Sequence, residues 1–99
     1  MNDYEHNLAD LRSEINNLDN ELLDVLSRRF DITHQVGQLK VANRLPIKDE
    51  QRESYMLERL GTLAKNKGLD PKIAQDVMKV ICQLSVSANT RLANERYSS

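Results

Sequence analysis

The chain has 99 residues, a formal net charge of -1 at pH 7, and a composition that is 39% hydrophobic but only 4% aromatic. The length suits one domain spanning residues 1–99, and a chain this small with so few large rings is expected to self-associate. The balanced charge argues against a nucleic-acid module, which would show a basic surplus. No apolar run approaches the ~20 residues of a membrane span, and the polar, acidic N-terminus does not resemble a signal peptide.

Glycine and proline divide the chain into three predicted helices of roughly 37, 17 and 25 residues. The breaks are the polar stretch before Pro46 and the segment that begins at Gly68. The second helix is predicted from about Asp49 to Lys67 and the third from about Pro71 to Arg96, with Asp70 as the N-cap of the third. Because no strand pattern is found, the predicted fold class is all-α.

The first helix carries a heptad seam that is interrupted by a cation. Apolar residues recur at intervals of three and four, at Leu8, Leu11, Ile15, Leu18, Leu22, Val25, Ile32, Val36 and Leu39. Arg29 interrupts this seam, and Lys40 points within ~20° of it with its Cα ~16 Å further along. Two cations directed at one site repel each other unless an anion lies between them. The pair therefore predicts a small anionic ligand, although a register device explains a lone seam arginine equally well.

Three other charged residues have simpler interpretations when each is taken alone. Arg12 lies ~25 Å from Arg29 along the helix and ~100° off its face, so it cannot share a small ligand with Arg29 of the same chain. Spacing alone favours a solvated arginine at this position. Glu53 lies on the apolar stripe of the second helix, where a buried ion pair is the simpler interpretation. Asp49 is explained as an N-cap.

Two small polar residues accompany the apolar stripe of the third helix. The stripe consists of Ile73, Val77, Ile81, Leu84 and Ala88. Ser85 and Asn89 lie one turn apart at the edge of that face. Small polar residues often occupy a helix edge, so neither residue indicates a site by itself.

No motif for a nucleophile, a metal or a cofactor is found in the sequence. Cys82 has no histidine at helical spacing, so a structural thiol is the better interpretation, and a lone cysteine fits a reducing, cytoplasmic setting. His6 and His34 lack a metal-ligand pattern, and no glycine-rich loop is present to hold a phosphate. Helix-borne cations with a carboxylate predict an anion-binding site that works by electrostatics, without metal or cofactor.

Several short segments share their order and spacing with a known family. They are Leu11-Arg12-Ser13-Glu14-Ile15, Leu18-Asp19, Glu21-Leu22-Leu23, Arg28-Arg29, Val36-Gly37 with Lys40, Pro46-Ile47-Lys48-Asp49 with Arg52-Glu53, Gly68-Leu69-Asp70-Pro71, and Ser85. Together these segments resemble the all-helical chorismate mutases over nearly the whole chain. The resemblance implies three helices per protomer, an intertwined homodimer, and conversion of chorismate to prephenate in aromatic amino-acid biosynthesis.

The resemblance also implies how the substrate carboxylates are bound. The long first helices of the dimer would cross, so that Arg12 of one protomer enters the pocket of the other. In this arrangement Arg12 shares a ligand with Arg29 of the partner, so its distance from Arg29 of its own chain no longer matters. The two carboxylates of chorismate would then be held by Arg12 from the partner, Arg29, Arg52 and Ser85.

The remaining implied contacts concern the breaking bond and the ring. Lys40 would hydrogen-bond the ether oxygen whose bond breaks, and Glu53, with the backbone near Asp49, would bind the ring hydroxyl. The family commonly has glutamine, or in some members glutamate, where this chain has Asn89. Asparagine keeps the amide but is one carbon shorter. We expect Asn89 still to donate to the ether oxygen, directly or through water.

Three other interpretations stay open. Isochorismate-pyruvate lyases share the fold and a similar cationic pocket, although Asp49, Arg52 and Glu53 look more like the mutases. Some small family members depend on a second enzyme for full activity, so a mutase activated by a partner enzyme is the second alternative. A non-catalytic helical interaction module would account for the heptads, but not for Arg29 and Lys40 on one face.

Overall fold

The computed structural model describes residues 2–97, and over this range it contains three α-helices and no strand. They are α1 (Asp3–Ala42), α2 (Glu50–Asn66) and α3 (Pro71–Tyr97). The all-α prediction is confirmed, with helices of 40, 17 and 27 residues. None of these helices is both long and apolar enough to cross a membrane. Contacts divide the chain within α1, into one unit that ends at Ile32 and one that begins at Thr33.

Aspartates cap the N-termini of α2 and α3, as the sequence predicts. The Asp49 carboxylate accepts a hydrogen bond from the Arg52 backbone N–H at 3.0 Å, and Asp70 accepts one from Lys72 at 2.9 Å. Such a bond satisfies an amide that has no partner within its helix. On the exposed surface of α3, a hydrogen bond from Lys72 to Asp76 lowers the pKa of the Asp76 carboxyl and raises that of Lys72.

Helix α2 ends in a Schellman motif built on glycine. Gly68 has a φ of 75°, a left-handed conformation that costs glycine little. The Leu69 N–H donates to the Ala64 carbonyl at 2.9 Å, and the Gly68 N–H donates to the Lys65 carbonyl at 3.1 Å. These two bonds satisfy carbonyls at the end of the helix and turn the chain toward α3.

Helix α1 ends in the same motif without a glycine. Arg44 adopts the left-handed conformation, with a φ of 55°. The Leu45 N–H donates to the Lys40 carbonyl at 2.8 Å, and the Arg44 N–H donates to the Val41 carbonyl at 3.2 Å. The sequence predicts a break in the polar stretch before Pro46, but it does not predict a left-handed residue there, because arginine rarely adopts that conformation.

Helices α2 and α3 pack against each other through small and sulfur-containing residues. The Gln75 amide crosses over Gly61 to donate to the Leu57 carbonyl at 3.0 Å, and a Cβ on Gly61 would lie 2.7 Å from its nitrogen. Further along, the Cys82 sulfur lies 3.9 Å from the sulfur of the buried Met56. The structural interpretation of Cys82 is consistent with this packing.

The apolar stripe predicted for α3 is largely a different face from the one that packs within the chain. Ile73, Val77 and Leu84 are 54%, 53% and 55% exposed. The buried or half-buried face includes Ala74, Met78, Ile81, Cys82, Ser85 and Asn89. Since neighbouring helix positions differ by ~100°, the two faces adjoin each other around the helix. Helix α3 therefore keeps an apolar surface that no other part of the described chain covers.

Candidate active site

Two polar side chains are buried among the residues that the structure describes, and both are predicted site residues. Ser85 is 8% exposed and Asn89 is 7% exposed. They lie one turn apart on α3, on the face that packs within the chain rather than at its edge. Buried polar groups need hydrogen-bond partners, so the contacts of these two residues define the centre of the site.

Both side chains are hydrogen-bonded to the same residue of α1, Thr33. The Asn89 side-chain amide donates to the Thr33 backbone carbonyl at 3.0 Å. The Thr33 hydroxyl donates to the Ser85 hydroxyl at 3.4 Å. One turn further along α1, Gly37 is buried, and a Cβ there would collide with the Asn89 side chain. The absence of a side chain at Gly37 therefore lets the Asn89 amide approach the α1 backbone.

Lys40 lies one turn beyond Gly37 and is half-buried. Its ammonium donates to the Ile47 carbonyl at 2.9 Å, and its own carbonyl accepts from Leu45 at 2.8 Å. Lys40 thus ties the loop that leads into α2 at two points. An ammonium has three N–H donors, so the bond to Ile47 orients the side chain and leaves donors for a ligand.

The residues predicted at the start of α2 have different surroundings. The Asp49 carboxylate is engaged as the N-cap, and the Arg52 guanidinium lies 5.8 Å from the centre of the exposed Tyr55 ring. Glu53 is half-buried and lines a cavity of about 260 Å³ between α2 and α3. The cavity is lined by Lys48, Glu53, Met56, Leu57, Lys79, Cys82, Gln83, Val86 and Ser87. It therefore combines apolar walls with two lysines and one carboxylate.

Two predicted residues lie in the unit that ends at Ile32. Arg12 is exposed, whereas Arg29 is half-buried. Ser85 and Asn89 thus contact Thr33, the first residue of the second unit. Lys40 lies seven residues further along the same helix, α1. The roles of Arg12, Arg29 and the other candidates toward a shared ligand stay predictions.

Three residues that shape the candidate site were given no site role from the sequence: Thr33, Gly37 and Ile47, of which Gly37 and Ile47 lie in the segments that resemble the family. Two of them act through a backbone carbonyl, and Gly37 acts through the space that it leaves. The available signal was the spacing of Thr33, Gly37 and Lys40, which places them on one side of a helix. A glycine in a helix interior is itself unfavourable, so it points to a close approach.

These features define a class of protein: an all-helical chain whose buried hydroxyl, amide and half-buried ammonium suit a small polar anion. The comparison with known families makes the assignment specific. Residues 11–90 match the model of the family described as chorismate mutase type II. The chain therefore belongs to the chorismate mutase type II family, and the recognition made from its sequence segments is confirmed.

Curated relatives with chorismate mutase in their names are 28% to 34% identical to the chain over the aligned residues. A bifunctional chorismate mutase/prephenate dehydratase from Buchnera aphidicola subsp. Schizaphis graminum is 31% identical over 91% of the chain and 23% of its own length. The Escherichia coli (strain K12) protein of that name is 34% identical, over 92% and 24%. The chorismate mutase of Methanocaldococcus jannaschii is 28% identical over 77% of both chains. The chain thus spans about a quarter of the length of the bifunctional relatives.

Proposed function

We propose that the chain catalyses the rearrangement of chorismate to prephenate, a step of aromatic amino-acid biosynthesis. The observation that carries this proposal is the burial of Ser85 and Asn89 against α1, where an apolar pair would pack more simply. The family match supports it, because residues 11–90 include each candidate from Arg12 to Asn89.

The first requirement of the proposed reaction is that the substrate is held in the reactive conformation. The rearrangement is pericyclic, so it needs no nucleophile, general base or metal, and the flexible side chain of chorismate must be held over its ring. In this proposal Arg29 and Arg52, with Arg12 from a second protomer, hold the two carboxylates. Arginine suits this task because its planar guanidinium binds a carboxylate with two parallel hydrogen bonds. Ser85 adds a neutral donor.

Electrostatic stabilisation supplies the second part of the mechanism. Negative charge builds on the ether oxygen as its bond to carbon stretches, and a fixed cation stabilises that charge most in the transition state. Lys40 is the proposed cation, and its bond to the Ile47 carbonyl restricts the side chain before substrate arrives. Asn89 is the proposed second donor to this oxygen. Glu53, with the backbone near Asp49, is proposed to bind the ring hydroxyl.

The proposed assembly is a homodimer with two shared sites. The exposed heptad face of α1 supports it, since Leu18 and Leu22 are 61% and 63% exposed in the single chain. Apolar surface of that extent marks an interaction face. The setting is proposed to be cytoplasmic because the chain has one cysteine and is expected to work without disulfides. The fused enzymes named among the relatives make an associated enzyme a reasonable further partner.

A pair of neighbouring arginines tests the proposed activity. Arg29→Ala should lower kcat/KM for chorismate by about 10²- to 10³-fold, because a charged contact to a carboxylate is lost. The matched control is Arg28→Ala, since Arg28 is exposed and donates only a long bond, 3.5 Å, to the Asp24 carbonyl. Chorismate disappearance is measured, with circular dichroism to verify folding.

This assay, run beside a second one with isochorismate as substrate, separates the alternatives. An interaction module would show no turnover of chorismate, and Arg29→Ala would change its oligomeric state or stability instead. A lyase would release salicylate from isochorismate faster than it forms prephenate from chorismate. Either result would contradict the proposed activity.

A further inference from the structure

We propose that Thr33 is a positioning residue that orients the two buried polar groups of α3 toward the substrate. This inference rests on the proposed function. It is carried by one observation: Thr33 contacts Ser85 through its hydroxyl, at 3.4 Å, and Asn89 through its carbonyl, at 3.0 Å. Thr33 is half-buried on α1, and the proposal has it act on the ligand through Ser85 and Asn89.

The chemistry of a carboxylate fixes the direction of the Thr33–Ser85 bond. An ionised carboxylate only accepts hydrogen bonds, so Ser85 must donate its single hydroxyl proton to it. The Ser85 oxygen can still accept a hydrogen bond, and the Thr33 hydroxyl is placed to donate one to it. A chain of two hydroxyls ending on an anion polarises each member and strengthens the bond to the anion. Thr33 therefore holds Ser85 in the orientation that binding requires.

The Thr33 carbonyl fixes the Asn89 amide in a similar way. A carbonyl oxygen can only accept a hydrogen bond, so the nitrogen end of the Asn89 amide faces it. The second N–H of that nitrogen is left for another acceptor. Gly37 provides the space in which this short side chain fits. The shorter asparagine thus gains a defined orientation, which lowers the ordering cost on binding.

The test removes the hydroxyl of Thr33 and keeps the shape of the side chain. Thr33→Val preserves β-branching, so helix preference is matched, whereas Thr33→Ser preserves the hydroxyl. Because Ser85 is proposed to bind a carboxylate in both ground and transition states, Thr33→Val should raise KM about three- to tenfold with kcat changed less than twofold. Thr33→Ser should stay within about twofold of the unmodified chain. Thr62→Val is the control, since Thr62 is an exposed helical threonine that donates to the Glu58 carbonyl.

A double-mutant cycle with Ser85→Ala separates positioning from stability. If Thr33 acts through Ser85, Thr33→Val should have no further effect on KM once Ser85 is alanine. An additive effect, or a lowered Tm with an unchanged KM, would overturn the inference. Thr33→Ala provides a second hydroxyl-free variant should valine prevent folding. If the unmodified chain turns over chorismate and Thr33→Val has the same KM, only this inference fails; without any turnover, the proposed function fails with it.

Discussion

Asn89 illustrates how one residue is matched to the space around it. Its side chain is 7% exposed, donates to the Thr33 carbonyl, and occupies the space that Gly37 leaves open. The side chain is one carbon shorter than the glutamine usual in the family, yet its amide reaches the α1 backbone. Because an unpaired buried amide is costly, these contacts fix the orientation of the group as well as stabilising it.

Gly37→Ala tests whether the space at Gly37 matters. The added methyl group would meet the Asn89 side chain, so we expect a loss of about 1–3 kcal/mol in the free energy of unfolding. Displacement of the amide should also lower kcat/KM about tenfold. Urea unfolding and steady-state kinetics measure the two effects.

The control for this experiment is the double variant Gly37→Ala with Asn89→Ala. Removing the amide makes room for the methyl group, so the double variant should unfold less readily than Gly37→Ala alone while staying impaired with chorismate. If Gly37→Ala matches the unmodified chain in both measurements, Asn89 does not depend on this space.

At the residue scale, the sequence was sufficient for side chains whose residue type alone indicates their role. It predicted the Asp49 and Asp70 caps, and it selected Ser85 and Asn89, although it placed these two at a helix edge rather than in the interior. It missed Thr33 and the Ile47 carbonyl, because a backbone acceptor has the same chemistry at each residue and only the fold determines where it points.

At the scale of elements, the helix ends position the site, and three of the four ends that flank the two connections follow from the sequence. Asp49, Asp70 and Gly68 are the residue types expected at those positions. The exception is Arg44, which closes α1 in a left-handed conformation with a φ of 55°. The contacts of Lys40 to Leu45 and Ile47 hold this turn, and no local sequence signal encodes them.

Two matched caps separate the structural role of Asp49 from its proposed place at the ring-hydroxyl site. Asp49→Ala and Asp70→Ala each remove one side-chain bond to a helix amide, so each should lower the free energy of unfolding by about 1 kcal/mol. Asp49→Ala should also raise KM for chorismate, because the backbone near Asp49 is proposed to bind the ring hydroxyl. Thermal unfolding and initial-rate kinetics measure the two effects.

Equal KM values for the two cap variants would show that Asp49 is a cap and nothing more. Asp49→Asn provides the internal check, because asparagine caps about as well as aspartate. It should restore stability and KM together.

The apolar stripe of α3 shows that periodicity does not predict which face of a helix packs within the chain. Spacing identified Ile73, Val77 and Leu84 as one face, but the packed face of the described chain is the adjacent one, with Met78 and Ser85. Periodicity reports that a face is apolar, and it does not report which partner covers it. A helix with two such faces has room for a second partner beyond α2.

At the scale of the whole molecule, the exposed apolar surface explains why the site is proposed as a property of two chains. Ile15, Leu18, Leu22 and Val25 of the heptad seam are each more than half exposed. In the same unit, Arg12 is exposed and is separated by ~25 Å of helix from Arg29. Covering this face with a second copy would bury the seam and allow Arg12 to serve the partner's pocket.

Mixing two inactive variants tests this shared site most directly. Arg12→Ala and Lys40→Ala should each be almost inactive as homodimers, because every site lacks one cation. In a heterodimer, one of the two sites would combine an intact Lys40 with an intact Arg12 from the other chain, and the other site would lack both. Unfolding and refolding the variants together at equal amounts should therefore restore about a quarter of the unmodified activity. Activity that stays at the level of the separate variants, with heterodimers verified by differently tagged chains, would contradict the shared site.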